Sequence, residues 1–137
     1  MARLDGGEMF GKSAGLNCAT LAAAWEDVRN DATPTTWALC PLAGKTEIGP
    51  AQQGSTKTAL LEALAAASGV AVFGGVRTPA GRFHTFFLVG ADVGGIKRGQ
   101  ASMVKNAGIN CMVGSAGELI CNDLEELVEK LEGVGFA

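Results

Sequence analysis

The chain contains one motif of the kind that binds phosphates. Residues Gly6–Ser13, with the sequence GGEMFGKS, match the pattern GxxxxGK[ST]. In that pattern backbone N–H groups wrap the phosphates, the lysine reaches the outer phosphates and the hydroxyl binds magnesium. The motif functions only between a buried strand and the helix that follows it, and Met1–Asp5 lacks the apolar pattern of a strand. We therefore predict that residues 1–16 form a flexible N-terminal extension. A small nucleotide-binding protein using Gly6–Ser13 is kept as the alternative hypothesis.

Other residues capable of catalysis or metal binding are sparse and scattered. The single histidine, His84, has neither a GxSxG nor an HExxH motif around it, and Cys18, Cys40, Cys111 and Cys121 show no CxxC spacing. This pattern predicts free thiols in a cytosolic protein, with no metal, no cofactor and no catalytic site. A cysteine–histidine pair stays open at this point, because its members would meet only in the folded chain.

The basic residues concentrate in one segment of an otherwise acidic chain. Between residues 77 and 105 the chain has a local balance of +4, whereas the whole chain has a net charge of −3. The charged residues of this segment are Arg77, Arg82, Asp92, Lys97, Arg98 and Lys105. Such asymmetry predicts a cationic edge for an anionic partner surface. The sequence pI near 5.1 and the absence of tyrosine disfavour a nucleic-acid partner, and no apolar run is long enough to span a membrane.

Two adjacent strands are predicted on either side of the turn Thr78–Gly81. In the stretches Val70–Val76 and Phe83–Val89, apolar residues fill both alternation sets. Strands with this pattern are buried on both faces, so other layers must cover them above and below. The proline and glycine of the link suit a tight connection, which predicts a hairpin.

The remaining elements follow from periodicity and from capping residues. We predict a helix after Asn17, a strand at Thr35–Leu42 with a partner at Lys45–Ile48, a helix at Thr56–Ala67, a helix within 93–117, a strand at Leu119–Cys121 and a helix capped by Asn122. The helix within 93–117 has the weakest pattern. Its apolar positions are Ile96, Met103, Val104 and Ala107.

This order of elements predicts the fold class. A central mixed sheet of five or six strands would be flanked by helices on both faces, as an α/β (α+β) sandwich. No internal repeat or linker interrupts the chain, so residues 17–137 should form a single domain.

Several short segments resemble one family when their order and spacing are taken together. They are WEDVRND at 25–31, TWAL at 36–39, GKTEI at 44–48, Val76-Arg77, Phe83, LVGADV at 88–93, and Lys97, Arg98 and Lys105. In this order they resemble the coactosin branch of the actin-depolymerizing-factor (ADF/cofilin) homology domains. The resemblance covers about residues 17–132.

The resemblance implies a gelsolin-like architecture and a non-enzymatic protein that binds along the side of actin filaments and modulates their turnover. Its implied contacts are Arg82 at a strand start and Lys97, Arg98 and Lys105 on the long helix. It implies a cytoplasmic, cytoskeletal protein that is monomeric. The C-terminal end, Glu132–Ala137, departs from the family because it lacks basic residues. A general adaptor for acidic proteins on the same scaffold is a further alternative.

Overall fold

The computed structural model describes residues 16–136. The predicted N-terminal extension, apart from Leu16, and the phosphate-binding motif Gly6–Ser13 lie outside these residues. The helices are α1 (Ala19–Arg29), α2 (Lys57–Ala66), α3 (Gly95–Cys111) and α4 (Leu124–Gly133). The strands are β1 (Trp37–Pro41), β2 (Gln52–Gly54), β3 (Val72–Arg77), β4 (Phe83–Leu88) and β5 (Gly117–Cys121).

The five strands form one mixed sheet in the order β2-β1-β3-β4-β5. All neighbouring pairs are antiparallel except β4 and β5, which are parallel and connected through α3. A parallel pair needs such a crossover, because its second strand must start at the same end of the sheet as the first. The predicted mixed sheet is confirmed, with five strands.

Helices cover the sheet on both faces, as the two-sided apolar pattern of its central strands requires. One buried cluster lies on the face of α1 and α3 and includes Trp25, Val28, Phe73, Phe87 and Val104. The other lies on the face of α2 and α4 and includes Trp37, Leu64, Val76, Phe86 and Leu127. The predicted alternation of β4 is confirmed, since Phe87 and Phe86 belong to opposite clusters. The α/β sandwich is therefore the observed fold.

The predicted partner strand at Lys45–Ile48 is wrong. This segment makes only isolated bridges, Asn17 with Glu47 and Leu42 with Ile48, and the edge strand beside β1 is instead β2. β2 has the sequence QQG and is largely exposed, so it carries no apolar alternation that could predict it. Its position is fixed by close packing, because a side chain at Gly54 would overlap the ring of Trp37.

The cap of the last helix is one residue later than predicted. Asp123, and not Asn122, caps α4, because its side chain accepts a hydrogen bond from the Glu126 N–H at 2.7 Å. Glu126 in turn accepts from the Asn122 N–H at 2.8 Å. This N–H donor, together with the Lys130 side chain, lowers the pKa of Glu126. Both residues before the helix are good capping types, so the sequence alone did not separate them.

The prediction of four free thiols is wrong for two of them. Cys18, directly before α1, forms a disulfide with Cys111, the last residue of α3. The two cysteines are 93 residues apart, and only the packing of both helices on one face of the sheet brings them together. Disulfides typically stabilise a fold by about 2–4 kcal/mol, and the chain-entropy model gives roughly 4–5 kcal/mol for a loop of this length. Cys40 and Cys121 are free and buried.

Two negative findings apply to residues 16–136. No helix there is both long and apolar enough to cross a membrane. Within the same residues, no group of three or more histidine, cysteine, aspartate or glutamate side chains is placed to hold a metal ion.

Replacing Gly108 with alanine should lower the free energy of unfolding by about 1–3 kcal/mol. Gly108 is the point where α3 contacts the sheet most closely, and an added Cβ would overlap the ring of Phe73. Gly99 in the same helix faces open space. Gly99→Ala should therefore raise the free energy of unfolding, by up to about 1 kcal/mol through helix propensity alone. Urea unfolding measures both variants, and a Gly108→Ala variant as stable as Gly99→Ala would contradict this packing.

Candidate functional site

Arg82 is held at the start of β4 by a well-bonded turn. The Thr78 N–H donates to the Arg82 carbonyl at 2.8 Å, and the Thr78 hydroxyl accepts from the Arg82 N–H at 3.1 Å. Gly81 has φ of +81°, a conformation that glycine adopts without strain. Thr78 is buried, whereas Arg82 is exposed. The turn therefore fixes the backbone of Arg82 and leaves its guanidinium group in solvent.

His84 lies away from both free cysteines in the sheet. It pairs with Val76 and Gly117, whereas Cys40 pairs with Phe73 and Cys121 pairs with Leu88. Its pKa is lowered, first by burial and then by the nearby Arg82 cation, so the imidazole is neutral near pH 7. Burial raises the pKa of the thiols of Cys40 and Cys121 to about 11. Both thiols are therefore protonated, and a protonated thiol is a poor nucleophile. The other two cysteines form the disulfide.

Arg98 holds the loop between β4 and α3. Its guanidinium group donates to the Gly90 carbonyl at 2.7 Å and to the Val93 carbonyl at 3.1 Å. Gly94 at the N-cap position of α3 provides no side-chain cap, so these two bonds are the main polar contacts that fix the entry to the helix. Arg98 is half-buried. It is thus both a surface cation and a positioning residue for the start of α3.

Lys97 and Arg98 lie in the first turn of α3, which contains no acidic residue. The N-terminal end of a helix carries a partial positive charge, so cations there are unfavourable by about 0.3–1 kcal/mol each. Lys97 is exposed. Among residues 16–136, the ion pairs join Arg29 to Glu26, Lys57 to Glu132 and Lys130 to Glu126, and none involves the four predicted site residues. Within the described residues Lys97 has no hydrogen-bond or ion-pair partner that offsets this cost, whereas Arg98 offsets it through its two bonds to the β4–α3 loop.

The four predicted cations lie in two parts of the fold, three on α3 and Arg82 before β4. Lys105 is half-buried and lies two helical turns beyond Arg98, a rise of about 10 Å. Arg82 lies at the opposite end of β4 from the start of α3, and six strand residues span about 20 Å. The chain returns to that end only after α3, where the Ala116 N–H donates to the Phe83 carbonyl at 2.6 Å. The fold therefore groups the three helix cations and places Arg82 apart from Lys97 and Arg98.

Two apolar side chains on α3 point away from the core. Ile96 is 81% exposed and Met103 is 70% exposed. They are seven residues apart, so they lie on one line along the helix, with Gly99 between them. The sequence pattern grouped them with Val104, which is buried, and Ala107, which is half-buried. Ala101, Val104 and Gly108 are spaced to form a second line along the helix, and this line faces the sheet. Their spacing is the sequence feature that distinguishes the buried positions from the exposed ones.

Two acidic residues of α4, and the aspartate that caps it, are used within the fold. Asp123 caps the helix, Glu126 pairs with Lys130 at 3.2 Å, and Glu132 pairs with Lys57 at 2.9 Å. Phe136 is buried beside them, and its N–H donates to the Leu131 carbonyl at 2.9 Å. The described C-terminal end therefore folds against the domain and presents no cationic extension.

Comparisons with known proteins find likeness in structure alone. No family model matches the chain, and no curated protein matches it. Human coactosin-like protein matches with a TM-score of 0.70 and 21% identity, over 92% of this chain and 93% of that one. Mouse coactosin, described as an actin filament binding protein, matches with a TM-score of 0.68 and 22% identity, over 89% and 92% of the two chains.

A third solved structure widens the likeness beyond the coactosins. The cofilin homology domain of a yeast actin-binding protein matches with a TM-score of 0.63 and 17% identity, over 81% of this chain and 87% of that one. Each match spans most of both chains. The chain has the fold shared by the coactosins and the cofilin homology domain.

Proposed function

We propose that this protein is a non-enzymatic, coactosin-type protein that binds along the side of actin filaments and modulates their dynamics. Its fold is that of mouse coactosin, an actin filament binding protein. The proposed contacts are Arg82, Lys97, Arg98 and Lys105, with Ile96 and Met103 on the exposed line of α3. The protein acts as a monomer in the cytoplasm, with the cytoskeleton, and needs no cofactor.

The observation that carries the proposal is the composition of α3, whose cations and exposed apolar side chains lie on different sides of the helix. A helix that serves only the fold would place acids in its first turn and polar residues on its outer face. α3 instead has two cations and no acid in its first turn. It also exposes two large apolar side chains. Cations in the first turn and exposed apolar side chains do not stabilise the free protein. They become favourable when a partner with an acidic and partly apolar surface covers them.

The two kinds of side chain have different roles in this contact. Full burial of Ile96 or Met103 would each contribute about 1.5–3 kcal/mol of binding free energy before the costs of association. The cations add orientation and a faster approach to acidic actin, and their contribution falls as salt screens it. The separation of Arg82 from the helix cations suits a partner that extends beyond one contact patch, as a filament does.

Lys97→Glu should weaken filament binding while slightly stabilising the fold. The substitution replaces an unfavourable cation at the helix N-terminus with a favourable anion, worth about 0.5 kcal/mol or more in the free energy of unfolding. The same change removes a contact to an acidic partner. Co-sedimentation with actin filaments at low and moderate salt measures the binding, and urea unfolding measures the stability.

Lys57→Glu is the matched control. Lys57 also lies in the first turn of a helix, α2, on the other face of the sheet, so both variants change the net charge equally. Because Lys57→Glu also loses the ion pair with Glu132, urea unfolding checks that this variant stays folded under the binding conditions. Lys57→Glu should pellet with filaments like the parent protein, and Arg82→Glu and Lys105→Glu should behave like Lys97→Glu. Equal losses in Lys57→Glu and Lys97→Glu would show that net charge alone governs binding, as expected of a general adaptor for acidic proteins.

Ile96→Ser and Met103→Ser should each weaken filament binding several-fold without lowering stability, because both side chains are exposed in the free protein. This loss should be the same at low and moderate salt, whereas the loss in Lys97→Glu should shrink as the salt concentration rises. Val113→Ser is the control, since Val113 is also an exposed apolar residue but lies beyond α3. Co-sedimentation of all three variants decides the point: unchanged pelleting of Ile96→Ser and Met103→Ser would remove the apolar line from the site.

A further inference from the structure

The four cysteines fall into two chemical classes. All of them lie within residues 16–136. Cys40 and Cys121 are buried protonated thiols with pKa values raised to about 11 by burial. Cys18 and Cys111 are joined in a disulfide and both are half-buried, so a small thiol in solution can reach the bond. The thiol chemistry of this chain is therefore concentrated in one bond.

That bond connects the start of α1 to the end of α3. Beside it, the Trp25 indole N–H donates to the Val113 carbonyl at 2.6 Å, just after α3 ends. Buried apolar contacts of Ala101, Val104 and Ile109 complete the attachment of the helix to this face. The covalent bond is thus one of a few anchors at the C-terminal end of the helix that carries Lys105.

α3 depends on such anchors more than an average helix does. Gly95, Gly99 and Gly108 each lower its intrinsic stability. Its N-cap Gly94 makes no side-chain cap. With weak propensity and no side-chain N-cap, tertiary contacts determine how much of the helix is ordered.

We propose that the Cys18–Cys111 disulfide is a redox switch that sets the order of the C-terminal half of α3 and, through it, the affinity of the filament-binding surface. This inference rests on the proposed function for its binding consequence only. In the oxidised protein the last turns of α3 are fixed on α1. In the reduced protein they are held by the Trp25 hydrogen bond and apolar packing alone.

The chemistry is thiol–disulfide exchange with a dithiol reductant. One thiolate of the reductant attacks a sulfur of the disulfide, forming a mixed disulfide and releasing the other cysteine as a thiolate, which takes up a proton. The second thiolate of the reductant then displaces the remaining cysteine. Two electrons and two protons pass to the protein, and the reductant becomes an internal disulfide. Disulfides in cytosolic proteins are commonly of this reversible, redox-sensing kind.

Hydrogen exchange tests the switch without any partner. Mass spectrometry of the full chain, oxidised and then reduced with a dithiol, should show backbone amides of residues 105–113 exchanging about tenfold faster after reduction. The amides of β3 should be unchanged. The double variant Cys18→Ser/Cys111→Ser should match the reduced parent with or without reductant. Exchange in 105–113 that is the same in both redox states would overturn the proposal.

Co-sedimentation tests the coupling to binding. The dissociation constant for filaments should rise about three- to tenfold on reduction, because a loosened helix must be ordered again on binding. The double variant should bind filaments with the affinity of the reduced parent, and adding the reductant should not change its dissociation constant. If reduction speeds amide exchange in residues 105–113 but the oxidised and reduced parent bind filaments with equal affinity, the disulfide does not control binding. If neither form pellets, the proposed function fails, and the exchange experiment alone decides whether the bond controls α3.

Discussion

The close approach of large aromatic rings to glycine positions determines how the layers of this domain fit together. The ring of Trp25 lies over Gly75, that of Phe86 over Gly74, that of Trp37 over Gly54 and that of Phe73 over Gly108. At each position an added Cβ would overlap the ring, so each contact needs glycine on one side and an aromatic residue on the other. Because protein interiors are close-packed, these four contacts fix the distance and the register between the sheet and its neighbouring elements.

This packing allows α3 to be a helix with poor intrinsic propensity. Gly108 weakens the helix but lets it approach Phe73, and Arg98 and the disulfide hold its two ends. The contacts of its inner face and of its two ends hold α3 in place. Its outer face is therefore not needed to stabilise the fold. That freedom permits the apolar side chains of Ile96 and Met103 to occupy exposed positions that an ordinary amphipathic helix would fill with polar residues.

The parts of the fold that the sequence predicted are those set by local pattern. β3 and β4 were predictable because apolar residues fill both faces of each strand, and α1 because Leu21, Ala24, Trp25 and Val28 repeat at helical spacing. The parts that were not predictable depend on contacts between distant segments. β2 has no apolar pattern of its own, and the pairing of Cys18 with Cys111 exists only once α1 and α3 share a face.

The same division applies to the candidate site. The sequence places Lys97 and Arg98 in one helical turn, and the structure agrees, because that placement is local. It does not show that Arg98 bonds to the β4–α3 loop or that Arg82 lies at the other end of β4, because both depend on the path of the chain through the sheet. The chain shares its fold with structures that are only 17–22% identical to it, so most residue identities can change without changing the fold. The fold therefore restricts which residue types can occupy the core much more than it restricts those on the surface. Lys97 is a surface residue whose place in the first turn of α3 costs stability, and a partner explains such a residue better than the fold does.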